Sequence, residues 1–132
     1  MNKPVINLKK YEVDSLLISR DLTSDDHEAE VFNLNAEVGH SDDNTHGAVK
    51  LSVVLIDKDA LKKISVTIIG YFEINIKENI FDILYVNGTA ILYPYLRSIV
   101  SIVSAIDSSE AMLLPTINIL ELLDNSQHSE ED

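Results

Sequence analysis

Ile64-Ser65-Val66-Thr67-Ile68-Ile69-Gly70-Tyr71-Phe72-Glu73-Ile74-Asn75-Ile76 is the run that decides the fold. Ile64, Val66, Ile68, Phe72, Ile74 and Ile76 share one parity, so the run reads as a long strand with one continuous apolar face. Gly70 interrupts that face where a bulge or a close backbone approach is expected. Upstream, Asp57-Lys58-Asp59-Ala60 is a tight polar connection, and before it Val49, Leu51, Val53 and Leu55 repeat the same alternation. Across the His40–Gly47 loop, Phe32, Leu34, Ala36 and Val38 alternate with Asn33, Asn35 and Glu37. Near the start, Ile6 and Leu8 and then Tyr11 and Val13 change parity across Lys9-Lys10, which predicts a first strand with a bulge. Four strands, most naturally antiparallel, therefore fill the first 76 residues.

Downstream the period changes. Asn79 is a plausible N-cap with Asp82 three residues on, and Ile80, Phe81 and Leu84 share a helical face. Gly88 reads as the C′ stop of a short helix. Pro94 sits where a first helical turn tolerates it, and Tyr95, Ile99, Ile102, Val103 and Ile106 follow helical spacing, widened by Leu96 and Val100. The other face of this long helix carries Ser98, Ser101, Ser104, Ala105 and Ser108, with Arg97 as its only charge. Small hydroxyls in place of Lys and Glu let a second backbone approach, so the helix is expected to be packed on both sides, with another subunit as the second cover. After Pro115, Ile117, Ile119, Leu120, Leu122 and Leu123 form a final helix that is apolar nearly all round. The expectation is an α+β fold: a four-stranded antiparallel sheet, a short helix, a long helix and a C-terminal helix, in a single domain over 1–124. Residues 125–132 form an acidic tail expected to stay solvated and disordered.

Charge narrows the function classes. With 22 acidic and 10 basic side chains the net charge is -12, and such a surface repels phosphate, which argues against nucleic acid. The acidity is local: Asp21 to Val49 holds eight acids and no Lys or Arg, and Ser98 to the end holds seven more, again with no Lys or Arg. Solubility accounts for such runs, and attraction of a basic partner is the sharper reading. No cysteine is present, which removes disulfides and thiolate chemistry and suits a reducing compartment. The N-terminal stretch lacks a signal-type apolar run, and no segment has the roughly 18 apolar residues a membrane span needs, so a cytoplasmic protein without membrane insertion is expected.

A search for chemistry returns few candidates. The four glycines make no phosphate-cradling loop, and there is neither a nucleophile elbow nor a His-Glu-x-x-His pair. Asp42, Asn44 and Gly47 fall at positions one, three and six of a calcium-type loop, but His46 at position five and Val53 at position twelve break the pattern. Asp25 and Asp26 lack the apolar pocket that would raise one of them into a general acid. Neither catalysis nor a metal or cofactor is expected.

Ala90-Ile91-Leu92-Tyr93-Pro94-Tyr95-Leu96-Arg97, followed by Ile99, Val100 and Val103 and then by Leu114 to Leu123, resembles the signature of the SecB family of export chaperones. There an aliphatic-aromatic-Pro-Tyr-x-Arg element opens the long helix, and a Leu-Pro turn leads to the last one. Tyr11 to Ser15 also looks like that family's first strand. The resemblance implies a homotetramer, a dimer of dimers with long helices sandwiched between sheets. It implies ATP-independent binding of unfolded polypeptides through apolar grooves. The family also includes chaperones dedicated to the antitoxin of a toxin–antitoxin pair.

Two departures bear on function. The connection from Arg20 to Glu30 is short, acidic and free of aromatics, unlike the long aromatic-rich one of the export members. Of the outer-face carboxylates that dock the translocase motor ATPase SecA, Asp14 matches one, whereas Ile18 and Ser65 stand at two others. The expected function is that of a SecB-like holdase, with weak SecA affinity through Asp14. The alternatives are a dedicated antitoxin chaperone, or a small α+β ligand-binding protein or enzyme. Phe32, Leu34, Ile119 and Leu122 are expected to line the client groove. Ser98, Ser101 and Ala105 are expected at a helix–helix contact of the oligomer, with Ile64, Val66 and Ile68 facing the helices.

Overall fold

In the computed structural model, which describes residues 4–20, 22–28, 32–58 and 61–107, four antiparallel strands form one sheet. They are β1 (Ile6–Ser19), β2 (Phe32–His40), β3 (His46–Asp57) and β4 (Lys62–Ile74), in the order β1-β4-β3-β2. β2, β3 and β4 are joined by consecutive hairpins, while β1 and β2 lie at opposite edges. A five-residue helix, α1 (Ser24–Glu28), stands in the connection that crosses between those edges.

Parity sets the two faces. Ile64, Val66, Ile68, Phe72 and Ile74 of β4 join Val49, Leu51, Val53 and Leu55 of β3 and Leu34 and Ala36 of β2 in one buried cluster. In β1 the expected bulge falls between Leu8 and Lys10, and a second, which the sequence reading did not anticipate, falls between Val13 and Ser15. Each bulge resets the alternation, so Ile6, Leu8, Tyr11, Val13, Leu16 and Ile18 all pair with inward-facing β4 residues. Leu17, not Ile18, therefore shares the outer face with Asp14 and Ser65.

One helical stretch covers the inner face. It runs as α2 (Ile80–Ile83), a π turn (Leu84–Gly88) and α3 (Thr89–Asp107). This corrects the expected stop at Gly88: no glycine among the described residues has positive φ, and the chain continues helically through it. Asn79 does occupy the N-cap position, but in the left-handed region at φ 56 and without a side-chain cap bond. Pro94 lies inside α3 rather than in a first turn, on the exposed side, where water can reach the Ala90 carbonyl that loses its helical donor, although an interior proline still weakens the helix.

The buried stripe is Ile80, Leu84, Gly88, Leu92, Leu96, Val100 and Ser104, one residue in every four. A four-residue step overshoots an α-helical turn by about 40°. The wider π turn takes up part of that drift, so that Leu84 and Leu92 both reach the sheet. Glycines make the approach possible. A Cβ on Gly47 would lie 2.6 Å from Leu84, one on Gly70 2.6 to 2.9 Å from three Leu92 atoms, and one on Gly88 2.8 Å from Val49. Gly70 is thus the close approach read from the sequence. At the far end Lys62, buried beneath α3, donates from Nζ to the Ser104 carbonyl at 3.3 Å, a cation on the helix's C-terminal carbonyls. The 27 residues from Ile80 to Ile106 are long and apolar enough to cross a membrane by length and composition, contrary to the expectation, and one stripe of them lies against the sheet.

Candidate functional site

The helix direction decides which apolar groups stay open. Leu92 over Gly70 and Ser104 over Lys62 make α3 run antiparallel to β4, packed on β3 and β4. The inward side chains of β1 beyond Leu8 are left at the margin. Tyr11, Val13 and Leu16 are therefore exposed although they point to the helix side. Above them Ile91, Tyr95, Ile102 and Ile106 form the solvent side of α3, with Ile102 63 % and Ile106 79 % exposed. The Tyr11 and Tyr95 rings, centroids 4.7 Å apart, join strand and helix into one apolar strip. Seven large apolar side chains in open positions on two adjoining elements form a patch of the kind that marks an interaction surface.

The packed face is turned relative to the one read from the sequence. Of the expected stripe, Tyr95, Ile102 and Ile106 are exposed, Ile99 is half-buried against the core and Val103 is buried, whereas Leu96 and Val100, expected only to widen the stripe, are the centre of the buried face. Ser104, counted among the small residues of the open face, is fully buried. Of the expected helix–helix contact residues, Ser98 and Ala105 are exposed and Ser101 is half-buried; Ser98 Oγ donates to the Pro94 carbonyl at 3.1 Å. Ile64, Val66 and Ile68 do face the helix, but beneath this chain's own α3 and with at most 1 % exposure, so they offer a second subunit no surface.

The expected groove residues divide in three. Leu34 belongs to the buried cluster at 4 % exposure, Phe32 is half-buried beside it at the start of β2, and Ile119 and Leu122 lie outside the described residues. The acidic tail and the final helix also lie outside them. What the sequence reading missed is the part played by Tyr11, Val13 and Leu16. Counting parity through both bulges would have put four apolar side chains of β1, Tyr11, Val13, Leu16 and Ile18, on one face beside a helix too narrow to cover them.

On the outer face Asp14 sits 3.9 Å from Lys50, so its charge is partly matched within the chain. Leu17 beside it is 56 % exposed and apolar. Lys9 meets Glu73 at 3.5 Å, and Lys10 meets Glu12 at 3.2 Å and lies over the Tyr71 ring. Near the Ser19 end, Lys63 Nζ donates to Asp26 at 2.9 Å. Backbone donation from Thr23, followed by the Lys63 hydrogen bond, holds the Asp26 carboxyl below its ordinary range.

The β2–β3 loop satisfies its own polar groups. Asp43 accepts from Ser41 Oγ at 2.6 Å, from Thr45 Oγ1 at 2.8 Å and from the Thr45 amide at 3.1 Å. The Ser41 and Thr45 hydroxyls and that amide lower its carboxyl to about 2. Among the described residues no group of three His, Asp or Glu is placed to hold a metal. Tyr93, inside the Ala90–Arg97 element, is buried, and loss of solvent raises its hydroxyl pKa against the opposing charge of Arg97.

No protein-family model matches the sequence, and no curated protein matches it. Solved structures do. The Mycobacterium tuberculosis SecB-like chaperone Rv1957, in complex with a ChAD peptide from the Rv1956 HigA1 antitoxin, superposes with a TM-score of 0.66 at 11 % identity. The match covers 85 % of this chain and 87 % of that one. A protein of unknown function from Streptococcus agalactiae superposes with a TM-score of 0.55 at 14 % identity, over 84 % of this chain and 97 % of that one. The α+β architecture is that of a SecB-like fold, and a protein similar to it in structure is a chaperone.

Proposed function

We propose that this protein is a SecB-like holdase of the cytoplasm: it keeps unfolded polypeptides soluble, without ATP, by covering their apolar stretches. The observation that carries the reading is the open Tyr11–Leu16 and Ile91–Ile106 strip on a fold shared with a peptide-binding chaperone. An unfolded chain offers extended apolar segments, and a shallow apolar strip binds them mainly by removing both surfaces from water. The same strip includes the face that the oligomer would use, so we assign its helix part, with Ser98, Ser101 and Ala105, to a homotetramer contact, and its strand part to clients together with Phe32, Ile119 and Leu122. Mixing the protein with an unrelated enzyme under heat stress tests this. Light scattering should fall in proportion to added protein and ignore nucleotide, and unaltered aggregation at a several-fold excess would sink the reading.

A dedicated antitoxin chaperone is the second reading, favoured by the antitoxin peptide bound in the structure of Rv1957. Capture of one antitoxin and indifference to unrelated unfolded chains would select it. For SecA we expect only weak, salt-sensitive docking, because Asp14 already pairs with Lys50 and its outer-face neighbours Leu17 and Ser65 carry no charge. Binding to SecA that survives moderate salt, or that ignores Asp14→Ala, would restore an export role.

A further inference from the structure

β1 ends at one edge of the sheet and β2 begins at the other, so residues 20–31 must cross the ends of β4 and β3. Three strand spacings amount to roughly 14 Å, while twelve residues reach about 40 Å when extended. Twelve residues are more than the path requires, so contacts rather than length place the connection's described part, α1. Two groups of contacts do this. Thr23 and Asp26 make a reciprocal cap on α1, the Thr23 amide donating to Asp26 Oδ2 at 2.9 Å and the Asp26 amide to Thr23 Oγ1 at 3.2 Å. The other oxygen of the same carboxylate takes the Lys63 ammonium at 2.9 Å. Lys63 stands directly opposite Ile56 in the β3–β4 register, on the outer face. Ile56 is an apolar residue on that otherwise open face, yet only 4 % exposed.

We infer that the Asp26–Lys63 pair is a latch that holds α1 against the outer face over Ile56, and that breaking it lets α1 lift while the sheet stays folded. The physical reason is that the Asp26 side chain is only 11 % exposed. With Lys63 gone, a nearly covered carboxylate would keep no cation, a costly arrangement. A five-residue helix relieves that cost by moving into water, which costs less than straining four paired strands. Asp25 and Asp26 stand in the first turn of α1, which holds no Lys or Arg, so the chemistry that would compete with Lys63 is a cationic segment of a partner. The latch holds independently of the chaperone reading, since it concerns only this chain.

Lys63→Met tests it, because that change removes the anchor and leaves the Thr23–Asp26 cap intact. Trypsin cleavage after Arg20, followed by mass spectrometry, should accelerate about tenfold, as a local opening would produce. Fluorescence of an apolar dye should rise as Ile56 is uncovered, and the strand circular dichroism should stay unchanged. Lys63→Arg, which retains the cation, should cleave at the original rate. Equal cleavage in Lys63→Met and the unaltered protein would overturn the latch, as would fast cleavage in Lys63→Arg. Global unfolding of Lys63→Met would overturn it too, because a latch opens locally.

Discussion

A methyl group added at Gly70 meets Leu92 at 2.6 to 2.9 Å, Cγ included, while one added at Gly39 meets nothing within 4 Å. Gly70→Ala must therefore push the helix or force Leu92 off its rotamer, at a cost of about 1–3 kcal/mol. Gly39→Ala should be neutral or slightly stabilising, because it removes backbone freedom from an open strand position. Thermal melts of the two variants check this: a loss for the first and none for the second. Asp43 gives a prediction in pH. Its folded carboxyl is lowered to about 2, so its contribution to stability is present above the unfolded value, near 3.9, and disappears as pH falls toward 2. The melting temperature of Asp43→Asn should lie below that of the unaltered protein at pH 6 and converge with it between about pH 4 and 2. A gap that stays constant over that range would show that the loop bonds do not depend on the charge.

The elements were unequally legible. Strand alternation survives in the sequence because each of β2, β3 and β4 buries one parity, and a first strand with a bulge at Lys9-Lys10 could be read for the same reason. The helix was misread because two periodicities compete in it. Tyr95, Ile99, Ile102, Val103 and Ile106 make a convincing apolar stripe at helical spacing, yet of these only Val103 is buried, and Leu92, Leu96, Val100 and Ser104 form the line that packs on the sheet. The stripe at every fourth residue, started by Ile80 and Leu84 and carried through Gly88, was present in the sequence but needs the π turn to make sense, and Gly88 read alone is a helix stop. Thr89, the first residue of α3 after that turn, has its Oγ1 buried with no hydrogen-bond partner. Removing an unsatisfied hydroxyl by the near-isosteric Thr89→Val should stabilise the protein by about 1 kcal/mol, or about 4 °C in a melt. A lower melting temperature would mean that the hydroxyl has found a water or a partner.

For the whole molecule, the sequence pointed to a two-sided helix for a reason that needs restating. Small Ser and Ala side chains suggested a second cover, but it is Ile91, Tyr95, Ile102 and Ile106 that leave apolar surface open, and Tyr11, Val13 and Leu16 that extend it. The site could not be read fully because exposure depends on where the helix lies across the sheet, which three glycines and Lys62 determine. If four copies bury the helix part of this surface, Ile102→Asp should break the assembly to smaller species of unchanged circular dichroism, because a carboxylate there would be buried unpaired. An unaltered protein that is already monomeric by light scattering would contradict that.

The most direct measurement of the central claim is fluorescence anisotropy of one labelled protein, offered once in its native form and once permanently unfolded. The account predicts saturable binding of the unfolded form alone, unaffected by ATP and weakened by polar replacement of Val13 and Leu16. Equal binding of both forms, or of neither, would contradict it.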